Sequence, residues 1–287
     1  MNFYYENSNG RIIDLNQPPF LGVKSNDLFS FKWDYVTQGQ AVQKIVKFEK
    51  YMKEKRFQVL LSGLDDHDYL SNLELFLQLT DVDINNLQMG KLWMDDYYLE
   101  GYIFASSKPK QYLDTNKTLI ECSLICEKGN WQSEEVYRFR KNYDDSEEHD
   151  DYTGYGITYP YEYKYDYSAP FKNNTIVNES YLDTDFEITF YGAFTNPNIT
   201  IGGNLYKVKR TLGADDYLKI NSKYKTAIIT RHNGTQENVF AYRDKSWNLF
   251  EKIKWGGNTV IKPDSLAVDV LLYYERSEPK FTEAKWT

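Results

Sequence analysis

Asp65, Asp66, His67 and Asp68 stand side by side, and three carboxylates with an imidazole could hold a metal ion. A solvated loop ahead of a helix explains the same four residues, because Asp accepts from free backbone N–H groups there, and that reading is preferred. A second acidic set, Asp144, Asp145, Glu147, Glu148, Asp150 and Asp151, lacks the alternating Asp/Asn spacing and the glycine that shape a calcium loop. A solvated linker accounts for it better. Cys122 and Cys126 lie within one stretch read as a strand, Leu119–Cys126. Residues four apart on a strand sit roughly 13 Å from each other, whereas a disulfide needs Cα atoms within about 7 Å. Buried reduced thiols are expected. Zinc would need ligands that no nearby His or Cys-x-x-Cys pair supplies, so neither a metal nor a cofactor is expected.

Catalytic patterns are equally sparse. The three histidines, His67, His149 and His232, are not set beside a Ser or Cys in a nucleophile motif. Gly-x-Ser-x-Gly, a Walker loop and His-Glu-x-x-His are all missing. Paired carboxylates for glycoside hydrolysis can come from any two strands and stay open, but the chain is not expected to be an enzyme. Alternating tyrosines at 159, 161, 163, 165 and 167, with Trp247 or Trp255, could stack on sugars. Aromatic residues in strands are more often core or interface.

The elements that would carry these groups are mostly strands. Aromatic residues make up 17% of the chain, a composition that favours pleated surfaces. From Phe186 to Tyr274, short alternating runs are punctuated by turn signals every eight to twelve residues or so, the pattern of an antiparallel sandwich. Asn198–Ile201 and Leu205–Lys209 flank Gly202-Gly203-Asn204, which reads as a tight hairpin because such turns need positive φ. Further strands are expected at Phe186–Gly192, Tyr217–Ile220, Lys225–Thr230, Val239-Phe240, Phe250–Ile253 and Thr259–Ile261, with turns at Asn221-Ser222 and Asn233-Gly234.

In the first half, strands are expected at Arg11–Asn16 up to Pro18-Pro19, at Leu28–Trp33, Ala41–Glu49 and Phe57–Ser62, then as a hairpin of Met89–Met94 with Tyr97–Phe104, and at Lys117–Cys126. Between them, Asp68 to Thr80 is rich in Leu and free of β-branched residues before Thr80, so it reads as a helix with Asp68 as N-cap and an end within 81–86. Leu70, Leu73, Phe76 and Leu77 form one stripe on its wheel. Leu75 and Leu79 fall on the other side, where either a neighbouring subunit or a loop of the same chain would cover them.

The order "ITFYGAFTNPNITIGGNLYKVKRTL", "YLKINSKYKTAII", "NVFAY", "FEKIKWGGNTV" and "YYERSEP" resembles the C-terminal domain of siphophage distal tail proteins, Dit. Pro18-Pro19-Phe20, the single leucine-rich helix, "GKLWMDDYYLEGYI" and Gly129-Asn130-Trp131 resemble the N-terminal domain of the same family. The likeness is to the short form, without carbohydrate-binding insertions. It implies a mainly β chain: an N-terminal β-sandwich-like domain with one helix and a hairpin (1–140), an acidic then Tyr-rich connector (141–171), and a galectin-like antiparallel β-sandwich (172–287).

The resemblance also implies a structural virion role at the phage tail tip, after assembly in the bacterial host cytoplasm. Six copies would form a ring joining the tail tube protein to a tail-associated lysin or tail fibre protein, with receptor-binding proteins as further partners. The N-terminal domain would build the ring. A carbohydrate-binding module for host cell-wall glycans is the alternative. Net charge is −8, and the acidic run at 144–151 holds most of it, so no basic stripe suggests nucleic acid. No apolar run is long enough to cross a bilayer. Met1–Glu6 lacks the basic start and apolar core of a secretory signal, so the sequons at Asn116, Asn178, Asn198 and Asn233 are read as accidents of an Asn-rich chain.

Overall fold

The computed structural model describes residues 2–24, 27–39, 43–112, 116–141 and 175–279. The acidic run, the alternating tyrosines and His149 lie outside the described residues. Two compact units are present, Met1–Glu134 with Glu275–Thr287, and Glu135–Tyr274. Both are built mainly from antiparallel strands.

In the first unit, Lys117–Cys126 pairs on one side with Lys53–Ser62 and on the other with Tyr97–Tyr112. The first of these pairs shows why the sequence forms strands here. Phe57, Val59 and Leu61 are buried and the residues between them less so, and in register opposite them stand Cys122, Ile120 and Thr118, all buried. A period of two puts every second side chain on the core face. Phe20–Lys24 continues the sheet beyond Lys53–Ser62. On another path, Gly90–Met94 lies between Tyr97–Tyr112 and Phe3–Glu6, and Ile12–Asp14 pairs with the latter.

The helix runs Asp66–Asn86, longer at both ends than the expected 68–80. Asp65, not Asp68, is its N-cap. The Asp65 carboxylate accepts from the Asp68 N–H at 2.8 Å, and Asp68 accepts from the Leu64 N–H at 2.8 Å. At the other end, 81–86 does not break the helix because Asp83 is fully buried and takes hydrogen bonds from the Tyr5 hydroxyl and, at 2.7 Å, the Ser8 N–H. Gly90 is tightly packed at this clamp: a Cβ there would lie 2.2 Å from Tyr5 Oη and 2.6 Å from Asp83 Oδ2. The helix packs against Lys53–Ser62 and Tyr97–Tyr112.

Its buried stripe is Tyr69, Phe76, Leu79, Thr80 and Asp83. An apolar-only wheel leaves out Thr80 and Asp83, whose hydrogen bonds make burial affordable, and so turns the stripe toward Leu70. That residue is 59% exposed. Leu28–Trp33 also departs from expectation: it is a turn followed by irregular chain that buries Leu28, and the strand lies at Asp34–Gln38.

The second unit is an antiparallel sandwich. Asp185–Tyr191 is the central strand of one sheet, between Tyr217–Asn221 and Val268–Arg276, with Thr226–Thr230 and Gln236–Asn238 following outward. The facing sheet runs Thr175–Asn178, Gly256–Ile261, Asn198–Ile201, Asn204–Lys207. Phe186, Ile188, Phe190, Leu218, Ile220 and Val270 from the first meet Ile176, Ile199, Ile201, Tyr206 and Val260 from the second in one core. The expected hairpin forms, but its turn is the two residues Gly202 and Gly203, at φ 55° and 88°, and Asn204, expected in the turn, opens the strand Asn204–Lys207. Val239-Phe240 and Phe250–Ile253 are not strands: a 3-10 turn at Phe240–Tyr242 and an isolated bridge at Ile253 replace them.

Two carboxylates lock this unit. Asp216 accepts from the Gly213 and His232 N–H groups at 2.8 and 2.9 Å and from Arg231 at 2.9 Å. The Arg231 guanidinium first, then those N–H groups, hold its pKa below the usual carboxylate range. Asp185 accepts from the Ser222 hydroxyl at 2.9 Å and pairs with Lys252 at 2.8 Å. Burial works against its charge, but Lys252 and Ser222 prevail and its pKa is lowered.

Candidate interaction surface

Asp65 caps the helix and Asp68, in its first turn, accepts from the Leu64 N–H, and among the described residues no three His, Cys, Asp or Glu side chains gather to hold a metal. Cys122 and Cys126 are free and buried, and burial pushes both thiols up to about 12. Such thiols are poor nucleophiles. His232 Nδ1 stands 3.6 Å from Asp215 Oδ2, both well exposed.

Leu75 and Leu79 prove unlike each other. Leu79 is 3% exposed and belongs to the core of its own unit, so its cover comes from the same chain. Leu75 is 40% exposed. Trp255 is 70% exposed, and its backbone N–H donates to Asp183 Oδ1 at 3.1 Å. Trp247 is also exposed.

A group of exposed apolar residues lies elsewhere. Asp34–Gln38 and Lys44–Glu49 form a two-stranded sheet of their own. Tyr35 stands opposite Phe48 and Thr37 opposite Ile45, with a register shift between Val36 and Thr37. Tyr35, Ile45, Val46 and Phe48 are each between 54% and 62% exposed. Among the described residues no third strand joins this hairpin. A lone two-stranded hairpin is marginal in water, and contiguous exposed apolar surface marks a place where another protein binds. Close by in sequence, Phe31, Trp33, Tyr51 and Met52 are exposed as well.

Sequence reasoning placed strands across this region without singling it out. The signal was present in Lys44-Ile45-Val46-Lys47-Phe48, where apolar residues take both faces and lysines interrupt them. A strand with one face in a core alternates cleanly instead. Lysines on a hairpin of this kind also discourage indiscriminate edge pairing.

No family model matches the chain, and no curated protein matches it by sequence. Solved structures do. A chain of the phage P2 baseplate in its activated conformation with Ca superposes at a TM-score of 0.60 and 14% identity, covering 97% of this chain and 100% of that one. The form with Sr gives 0.60 and 14%, with 97% and 99% covered. The Dit protein (gp 19.1) of phage SPP1, described as a paradigm of the hub adsorption apparatus in phages infecting Gram-positive hosts, superposes at 0.53 and 10% identity, covering 96% and 100%. This chain has the fold of a Dit hub protein. The likeness runs through both units, so the family resemblance seen in each half of the sequence agrees with the Dit fold along nearly the whole chain.

Proposed function

We propose that this protein is a distal tail protein, a structural component of a phage baseplate that closes as a ring of six copies. The observation that carries the proposal is the full-length likeness to baseplate and hub chains, in which almost none of either chain is left unmatched. The bare hairpin Asp34–Glu49 supports it, because a ring needs a surface that each copy presents to the next in a head-to-tail contact. In this reading the N-terminal domain builds the ring, and Leu75, exposed on the helix, is a further contact residue. The ring joins the tail tube protein to a tail-associated lysin or tail fibre protein at the tail tip, and receptor-binding proteins dock on its outer side. No catalytic role is proposed.

Negative-stain images of the purified protein test this. Six-fold rings with a central channel are expected, and isolated single chains at every concentration would overturn the proposal. A second reading, recognition of cell-wall glycans, rests on the exposure of Trp255, since an indole open to water can stack on a sugar face. Tightening of glycan binding by wild type but not by Trp255→Ala would favour it.

A further inference from the structure

The inward face of Lys53–Ser62 carries Lys55 where Phe57, Val59 and Leu61 put apolar side chains, and Lys55 is 3% exposed. A buried ammonium is costly unless its charge is met. Lys55 Nζ donates only to neutral groups, the carbonyl oxygens of Ser30 and, at 3.3 Å, Asp27. Lys50, half-buried, is placed in the same way. Its Nζ donates to Asn130 Oδ1 and, at 2.9 Å, to the Ser277 hydroxyl, and stands 4.5 Å over the Trp33 ring. Among the described residues neither lysine forms an ion pair; Glu275 acts on Lys50, and Asp27 and Glu278 on Lys55, only at longer range. Burial lowers both pKa values, and the charge of Lys55 lowers that of Lys50 further.

Both residues are in the lining of one cavity of about 200 Å³, together with Lys32, Lys53 and Lys128. That is several times the ~30 Å³ share of a single water. The two carboxylates in the lining are already committed. Asp27 Oδ1 accepts from the Arg56 N–H at 2.5 Å, and Glu54 pairs with the Arg56 side chain at 3.0 Å and accepts from Ser123 at 3.0 Å. Lys53 is matched by Asp34 at 2.9 Å, and Lys128 by Glu275 at 3.5 Å. Two sheltered positive charges therefore share a cavity without a counter-ion of their own.

We infer that this cavity binds an anion of carboxylate or phosphate chemistry, with Lys50 and Lys55 supplying the charge and Lys53 and Lys128 the rim. The inference goes beyond the ring and stands whether or not a ring forms. The source is either a free anion or an acidic side chain of a second copy of this chain.

Inorganic phosphate is the probe. Melting temperature is followed as phosphate replaces chloride at constant ionic strength, for wild type and Lys50→Gln. Phosphate also stabilises proteins generally by exclusion from their surface, an effect that both proteins share. A saturable rise in wild type that Lys50→Gln loses is expected. Equal responses in the two proteins would overturn the inference. If Lys50→Gln does not fold, ³¹P line broadening by wild type decides: saturation reversed by acetate but not by chloride supports the site, and linear broadening overturns it. Light scattering under the same titration separates the sources. A falling mass means that phosphate displaces a carboxylate of a second copy, and a constant mass means that the site holds a free anion.

Discussion

If the hairpin Asp34–Glu49 is the subunit contact, replacing Ile45 and Phe48 with Ser should loosen the assembly and spare the fold. Full burial of Ile or Phe is worth about 1.5–3 kcal/mol. Both residues are a little over half exposed, so a partner would gain only about half of that from each. The pair then contributes roughly 1.5–3 kcal/mol to each contact, and at one factor of ten per 1.4 kcal/mol this is a ~10- to 100-fold weaker association. The chain's own stability should hardly move, because exposed substitutions usually stay within about 0.5 kcal/mol. Sedimentation velocity over a dilution series measures the first effect, and a thermal melt the second. Association equal to wild type would refute the contact. A large fall in melting temperature would place the hairpin in the chain's own core instead.

Other outcomes follow from particular residues. Leu79→Glu puts an unpaired carboxylate in the core and should unfold the first unit by circular dichroism, whereas Leu75→Glu should stay folded and, if it faces a neighbouring copy, elute as a smaller species. Gly90→Ala drives a Cβ against Tyr5 Oη and Asp83 Oδ2, and should lower the melting temperature by several degrees in a thermal melt. Asp185 and Asp216 have folded pKa values below their unfolded ones, so the stability they confer is present above the unfolded carboxylate pKa and lost as pH falls through the folded one. Denaturant melts from pH 6 downward should show that loss, and Asp216→Asn should flatten it. With thiol pKa values raised to about 12, Cys122 and Cys126 should resist a thiol reagent at pH 8 until denaturant is added.

The sandwich of the second unit was legible because its turns are chemically explicit. Gly202-Gly203 and Asn233-Gly234 fix hairpins locally, and the alternation at Phe186–Phe190 then sets which side chains face inward. What resisted reading was burial of polar residues. Lys55 continues the inward alternation of Phe57 and Val59, but a lysine there looks like the end of the strand, which begins at Lys53. Asp83 and Thr80 likewise belong to the helix's buried face, through hydrogen bonds to Tyr5, Ser8 and the helix's own carbonyls that no wheel displays. The hairpin Asp34–Glu49 was read as ordinary strand because periodicity says which residues share a face and nothing about whether a second layer covers it. The lysine cavity had no local signature: its members come from 27–55 and 128–129, brought together only by folding.

The central claim is the six-copy ring, and native mass spectrometry of the purified protein tests it most directly. One chain has a mass of 33.9 kDa. The closed ring therefore predicts a species of about 200 kDa, with intermediates between one and six copies scarce because closure completes every contact at once. A spectrum showing the single chain alone across the concentration range would contradict it.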